Sequence, residues 1–529
     1  MKWLERRLFV NNDAFAFVVI ASLSSAIAFL LIGKQIYQAN WGLIDDHEIF
    51  NFLGPDRHLP LSDIWHTFMT KTEVVSQQGR FRPGYYVFKL TETALWGANV
   101  HAWYLARTIG FAVFLSSIWW FMRRFAGIWL SGALTVYVSL LPLWAGIWSR
   151  LGPSEIYGAA LVGVMIFASY FILFSSAAFT RNANAIVLTL TTLALITMKE
   201  TFLPLAGGAV AVLVFAGVRK NLSLFSIGVL TLTLTVCVLG IAYLIKSQLV
   251  FDGLDFYAQP VTTWSIVGFG LRGLASAIGR VWWLYLIAAV SWVFLLRRFP
   301  GHYEAWKPAV MITIAACGFL VVMYALQGAV YRSKFPFHTR YDFPAMLLAP
   351  LTISVLVCCA SCIARSVLSE RTVSRAQLRT AALALIFLTF APFDKGKSLV
   401  AAIELNIGTT NTFYNELQLV LQAAKQSPES PVILEAYGSG AYEAVFSLSI
   451  YFQALGAKNR VSVRLHRDES SSGQLNENLQ RTLSDLEKSG SSAFIPLRDN
   501  LTGGRQPCIS IGINGAPDAG CSGFKIITW

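Results

Sequence analysis

Ala14-Phe-Ala-Phe-Val-Val-Ile-Ala-Ser-Leu-Ser-Ser-Ala-Ile-Ala-Phe-Leu-Leu-Ile-Gly33 carries no charge and leads into a polar stretch containing Trp41-Gly-Leu-Ile-Asp-Asp-His-Glu-Ile-Phe50. An uncharged run of about 20 residues is what a helix needs to cross the hydrocarbon core of a bilayer. No small-residue cleavage site separates the run from the polar loop, so it reads as a retained anchor rather than a signal peptide. Further runs lie near 103–122, 127–148, 157–179, 184–198, 202–218, 223–245, 281–296, 308–325, 343–363 and 380–393, about 11 spans in all. Lys199-Glu-Thr201 interrupts one long apolar run, and a charge at bilayer centre costs about 2.5–3.5 kcal/mol, so these residues are expected in a helix turn or a wet cavity at the outer surface.

Composition agrees. The chain is 55% hydrophobic and 13% charged, which excludes an ordinary soluble globular protein. After residue 393 the apolar runs stop and short strand-like and helix-like units alternate: a helix around 409–426, a strand Val432–Glu435, a helix around 440–455, a strand Val461–Arg464, a helix around 473–489, and strands near 492–497, 508–512 and 523–528. The expected architecture is a polytopic α-helical membrane domain over 1–393 and a soluble α/β domain with a largely parallel sheet over 394–529.

The formal charge of +13 is uneven, because residues 394–529 hold 12 Lys+Arg against 13 Asp+Glu and the rest hold 30 against 16. Arg123-Arg124, Arg181, Arg219-Lys220, Arg297-Arg298 and the run from Arg365 to Arg379 fall on the side of Lys2, Arg6 and Arg7. By the positive-inside rule the N-terminus is cytoplasmic, and an odd number of spans puts the C-terminal domain outside. Arg80, Arg82, Lys89, Lys199, Arg332, Lys334 and Arg340 then share the outer side, where they suit an anionic ligand or lipid headgroups. No nucleic-acid partner is expected. Five of the seven cysteines lie in spans; Cys508 and Cys521 lie in the tail, where a disulfide and two free thiols are both open readings outside the cell.

The first external loop, 34–101, is far longer than the other loops, and long loops in compact proteins are usually functional. It holds Asp45-Asp46-His47-Glu48 and Gly79-Arg-Phe-Arg-Pro-Gly-Tyr-Tyr-Val-Phe-Lys89. If 43–52 is helical, Asp45 and Glu48 share a face and Asp46 points elsewhere. Pro83 is placed to start an amphipathic helix bearing Tyr85, Tyr86 and Phe88, lying in the membrane interface as part of a lid. A carboxylate beside a second carboxylate is a suitable base for a sugar hydroxyl. The bland reading is that these acids only solvate the end of the first span. Guanidinium forks and lysine ammonium groups suit phosphate, whereas individually each is an ordinary interfacial anchor. His338 and Tyr341, in Phe337-His-Thr-Arg-Tyr-Asp-Phe-Pro344, have the chemistry to bond a sugar or phosphate.

Asp45-Asp46 in a long first loop, Gly79-Arg-Phe-Arg-Pro83, Met198-Lys-Glu-Thr201 and Thr339-Arg-Tyr-Asp-Phe-Pro344 together resemble the integral-membrane glycosyltransferases of superfamily C, over roughly residues 10–345. The resemblance is to bacterial types that use polyprenyl-phosphate-linked sugars. It implies a multi-pass protein of the bacterial cytoplasmic (inner) membrane that transfers a monosaccharide to a lipid-linked or glycan acceptor of the cell envelope, such as O-antigen or lipid A. It implies Asp46, with Asp45 as rival, for the catalytic base; Arg80, Arg82, Lys199 and Arg340 for the donor phosphate; and Glu48, His338 and Tyr341 for substrate. No cofactor is required on this reading, and a divalent cation is left open. Two other classes compete: a secondary transporter, which should show halves with matching interrupted spans, and a non-catalytic envelope-assembly subunit, whose information should lie in the tail.

Overall fold

A computed structural model of the chain describes residues 13–53, 57–72, 82–219, 221–250, 263–298, 398–437, 441–466, 494–496, 509–513 and 522–526, with parts of 318–382. Six described helices are long and apolar enough to cross a membrane: Asp13–Ile32, Val100–Ser139, Ser154–Phe174, Ala178–Met198, Glu200–Val218 and Leu224–Tyr243. This is a multi-pass α-helical membrane protein carrying an α/β domain. Most of the expected spans near 308–325 and 380–393 lie outside the described residues, as does the junction at 393, and only parts of 343–363 are described.

The helices are labelled in chain order: α1 Asp13–Ile32, α2 Lys34–Gln38, α3 His47–Phe52, α4 Ile64–Lys71, α5 Pro83–Trp96, α6 Val100–Ser139, α7 Ala145–Trp148, α8 Ser154–Phe174, α9 Ala178–Met198, α10 Leu205–Val218, α11 Leu224–Val250, α12 Thr263–Arg298, α13 Leu399–Gln426 and α14 Ala441–Ala454. The runs expected at 103–122 and 127–148 belong to α6, which is broken at Gly127, where φ is 74°. Only glycine takes that backbone angle without strain. The second of these runs ends at Ser139 rather than 148, because Pro142 opens a separate short turn followed by α7.

The described parts of the long loop, 34–53, 57–72 and 82–101, are folded, not draped. Pro83 does start a helix, yet Tyr85 and Tyr86 on α5 are buried in the protein core instead of facing lipid. α5 exposes Val87 and Leu95 on its other side, and the turn leading into α4 and α4 itself also expose apolar side chains, with Leu61, Trp65 and Met69 all open. Their spacing of four residues puts them on one face, the pattern of a helix lying at a membrane surface.

One buried ion pair ties the loop to the helix bundle. Arg107 on α6 grips Glu92 on α5 bidentately, Nη1 to Oε1 at 2.9 Å and Nη2 to Oε2 at 2.7 Å, and Tyr157 of α8 bonds both partners. The Arg107 side chain is 2% exposed.

In the C-terminal domain the strands β1 Val432–Tyr437, β2 Val461–His466, β3 Phe494–Pro496, β4 Ile509–Ile513 and β5 Ser522–Ile526 form one parallel sheet in the order β3-β2-β1-β4-β5. Val432 and Leu434 of the central strand are fully buried, which explains the continuous Val-Ile-Leu run there. The first helix of this region, α13, begins ten residues before the expected start, and its N-terminal half packs on the membrane domain: Lys34 pairs with Glu404 at 2.6 Å and Asn406 donates to Gln35 at 3.1 Å. Cys508 and Cys521 lie outside the described residues.

Removing one member of the buried pair should strand the other's charge. Glu92→Ala is expected to destabilise by about 3–5 kcal/mol in thermal unfolding of the purified protein, and Glu92→Leu with Arg107→Met to restore most of the loss.

Candidate active site

The acidic pair stands on a tight turn ahead of the helix, so the condition of a helix over all of 43–52 is not met. Helix α3 starts at His47, and Asp45 has φ 72°, a left-handed angle uncommon for any residue but glycine and best tolerated by Asp and Asn. Asp45 and Glu48 therefore do not share a helix face. The turn is closed by Asp46, whose Oδ2 accepts the Gly42 N–H at 2.7 Å. Trp41 locks the approach through edge contacts with Phe50 at 5.0 Å and Trp103 at 6.4 Å.

Consequently the two aspartates face different surroundings. Asp46 is 3% exposed. Burial pushes its carboxyl up to about 7, against the pull of the Gly42 N–H and the Lys89 charge. The Asp45 side chain is 30% exposed and meets Arg340 Nη1 at 3.5 Å. Burial alone would raise its carboxyl, but Arg340, Lys89, Arg150 and His47 together outweigh that and hold it below the usual carboxylate range. Behind His47, desolvation lowers the imidazole to about 4, so the ring is neutral at pH 7.

Arg340 belongs to a second layer. Its guanidinium carbon lies 5.3 Å from the Tyr341 ring centre, and Lys199 Nζ lies 4.9 Å from the same ring. Lys199 sits in the turn between α9 and the short helical turn Glu200–Phe202, as the interruption of the apolar run implied. Its ammonium is bonded to Glu155 Oε1 at 2.5 Å, with both side chains 3% exposed. Lys199 is thus committed to Glu155, and Arg340, at 19% exposure, is the better placed of the two cations to meet a ligand.

The other expected residues divide. Glu48 accepts a hydrogen bond from the Tyr85 hydroxyl at 2.7 Å, and the same hydroxyl lies 3.0 Å from the Gly152 carbonyl, so Glu48 helps fix the loop to the α7–α8 connection. Arg82 caps α5, its guanidinium carbon 5.6 Å from the Tyr85 ring centre. Arg80 and His338 lie outside the described residues.

Several residues were not singled out by the sequence. Glu155 opens α8, two residues before the expected start of that span, and its partner Lys199 is 44 positions away, beyond the reach of a local motif. Arg150 is exposed and acts electrostatically on both aspartates. Lys89 is fully buried with no hydrogen-bond partner, and its charge faces Glu48, Asp46 and Asp45; burial lowers its proton affinity. Gly152 carries the sharpest steric signal, since a Cβ there would lie 2.0 Å from the Asp45 Cβ. Among the described residues no group of three His, Cys, Asp or Glu side chains is arranged to hold a metal ion.

No family model matches the chain, and no curated protein matches it. Among solved structures it is similar to ArnT from Cupriavidus metallidurans bound to undecaprenyl phosphate, at 15% identity over 92% of this chain and 90% of that chain, with a TM-score of 0.42. It is similar to the apo state of the same protein at 15% identity over 90% and 88% of the chains, with a TM-score of 0.43. The Archaeoglobus fulgidus oligosaccharyltransferase, in complex with Zn and sulfate, aligns at 11% identity over 84% of this chain and 62% of that chain, with a TM-score of 0.41. At these scores the overlap is partial, and the chemistry must come from the chain's own residues.

Gly152→Ala should therefore act on Asp45 without touching substrate. It is expected to displace the Asp45 turn and speed hydrogen exchange in the peptide spanning residues 40–50, while the helical circular dichroism stays that of the parent.

Proposed function

We propose that this protein is a membrane glycosyltransferase that takes a monosaccharide from a polyprenyl-phosphate-linked donor and transfers it to a cell-envelope acceptor at the outer face of the bacterial inner membrane. The observation that carries the reading is the partly exposed Asp45 carboxylate set against Arg340, a base and a phosphate-type cation brought together across 295 residues of chain. The sequence motifs in the long first loop and around Arg340 point to the same chemistry.

On this reading the acceptor hydroxyl gives its proton to Asp45 as its oxygen bonds to the anomeric carbon. The bond from that carbon to the phosphate oxygen breaks on the opposite face, inverting the centre, and the electron pair leaves with the lipid phosphate. Arg340 faces the charge that grows there, an electrostatic contribution that is usually large in a preorganised site. The Tyr341 ring lies beside that cation, 5.3 Å from its guanidinium carbon. The transfer can thus be written with side chains alone.

Access decides between the aspartates before proton affinity does, because a base must reach the proton it removes. Asp45 is open and Asp46 is not, which reverses the order expected from sequence. Asp46 serves the turn, as the acceptor of the Gly42 N–H.

The reading is tested with the purified protein in lipid nanodiscs, a panel of polyprenyl-phosphate monosaccharides, and envelope lipids from a deletion strain as acceptor. Release of polyprenyl phosphate with at least one donor is expected, and Asp45→Asn should reduce it by about 10²–10⁴-fold. No release with any donor counts against the function. Because Arg340 keeps Asp45 ionised well below neutrality, kcat/KM should stay flat as pH falls from 8 to 6. An acid limb centred near 7 would instead give the role to Asp46, whose carboxyl is held at about that value.

A further inference from the structure

Two helices of the C-terminal domain reach back to the segment that carries the acids. Along α13, Thr410 Oγ1 accepts the Asn40 N–H at 3.2 Å, Asn411 accepts from the Asn40 side chain at 2.8 Å, and Asn411 donates to the Gln38 carbonyl at 2.8 Å. These hold the strand-like approach to the turn. Helix α14 holds the turn itself. The Tyr451 hydroxyl donates to the Gly42 carbonyl at 2.6 Å, and Ser447 Oγ is hydrogen-bonded to His47 Nδ1 at 2.8 Å. Tyr451 and Ser447 are both fully buried.

The position of these bonds is what matters. Residues 42 and 47 bracket Asp45, and the bond between Gly42 and Asp46 closes the same turn from inside. A left-handed backbone at a residue with a side chain persists only where its surroundings over-determine it. Here three constraints converge: the Gly42–Asp46 bond, the bare α-carbon of Gly152 against Asp45, and the two hydrogen bonds from α14. Simple docking of one domain on another would be served by contacts anywhere along the loop. Ring contacts already supply it, with Tyr451 4.7 Å from Phe50 and Phe446 edge-on to His47 at 5.4 Å, while Tyr451 is braced within its own domain by Phe413 at 5.4 Å.

We propose that the C-terminal α/β domain is a working part of the catalytic centre, with α14 clamping both ends of the Asp45 turn and Tyr451 and Ser447 acting as positioning residues for that carboxylate. The proposal rests on the function above only in naming Asp45 as the base; the clamp itself is a statement about the turn.

The test uses the full-length protein with Tyr451→Phe, which keeps both ring contacts and deletes only the hydroxyl, Ser447→Ala, and the two combined. Loss of a buried hydrogen bond of ordinary strength should speed hydrogen exchange in the peptide spanning residues 40–50 by about 10-fold. With an active donor from the panel, kcat should fall by about 10-fold or more in the combined variant, while affinity for undecaprenyl phosphate and the melting temperature stay at the parent values. Unchanged exchange and unchanged kcat in the combined variant would overturn the clamp. So would a kcat that falls only in step with undecaprenyl phosphate affinity and melting temperature, the sign of general domain support. If Asp45→Asn retains full turnover, the assignment of the base fails instead, and the exchange measurement still decides whether the clamp exists.

Discussion

The contact between Asp45 and Arg340 is the constraint on which the rest of the site depends. At 3.5 Å, with both side chains partly open, it is a loose pair that leaves each group free to exchange its partner for a ligand. A tight buried pair would have been costly to open, as the Lys199–Glu155 bond at 2.5 Å would be. Like Arg107–Glu92, the Lys199–Glu155 pair is closed and holds the scaffold, whereas the neighbouring Asp45–Arg340 pair is partly open. Tyr341 links them, its ring facing both cations.

Holding Asp45 in place requires the long loop to be folded, which explains its composition. Buried tyrosines on α5, the Glu92–Arg107 pair and the Tyr85 hydroxyl between Glu48 and Gly152 anchor the loop to α6 and to the start of α8. A loop lying loosely on the membrane could not keep a left-handed aspartate within reach of an arginine almost 300 residues later. The parallel sheet of the C-terminal domain has the corresponding task on the other side, since it supports α14, the helix that touches the turn.

Much of the architecture was legible because it follows from periodicity. Uncharged runs located the described spans, the Lys199-Glu-Thr201 break located a helix turn, and the alternation after residue 393 gave the α/β domain. The acidic pair and Arg340 were visible as charged groups beside span ends, but nothing in the sequence pairs Asp45 with Arg340. What could not be read was geometry set by distant partners. Asp45 and Asp46 are chemically identical in sequence, and only the Gly42 N–H, the Gly152 contact and Arg340 make one a buried strut and the other an open carboxylate. The start of the helix is set in the same way: the Gly42–Asp46 bond competes with helical pairing and delays the helix to His47. Tyr451 and Ser447 look like ordinary interior residues of an amphipathic helix, and no local pattern marks the turn they grip.

The most direct test of the Asp45–Arg340 site is a structure of the full-length protein with undecaprenyl phosphate in a lipid nanodisc. The phosphate should lie within hydrogen-bond reach of the Arg340 guanidinium, with the Asp45–Arg340 contact opened and Lys199 still on Glu155. A phosphate bound away from Arg340, with the Asp45–Arg340 contact undisturbed, would contradict it.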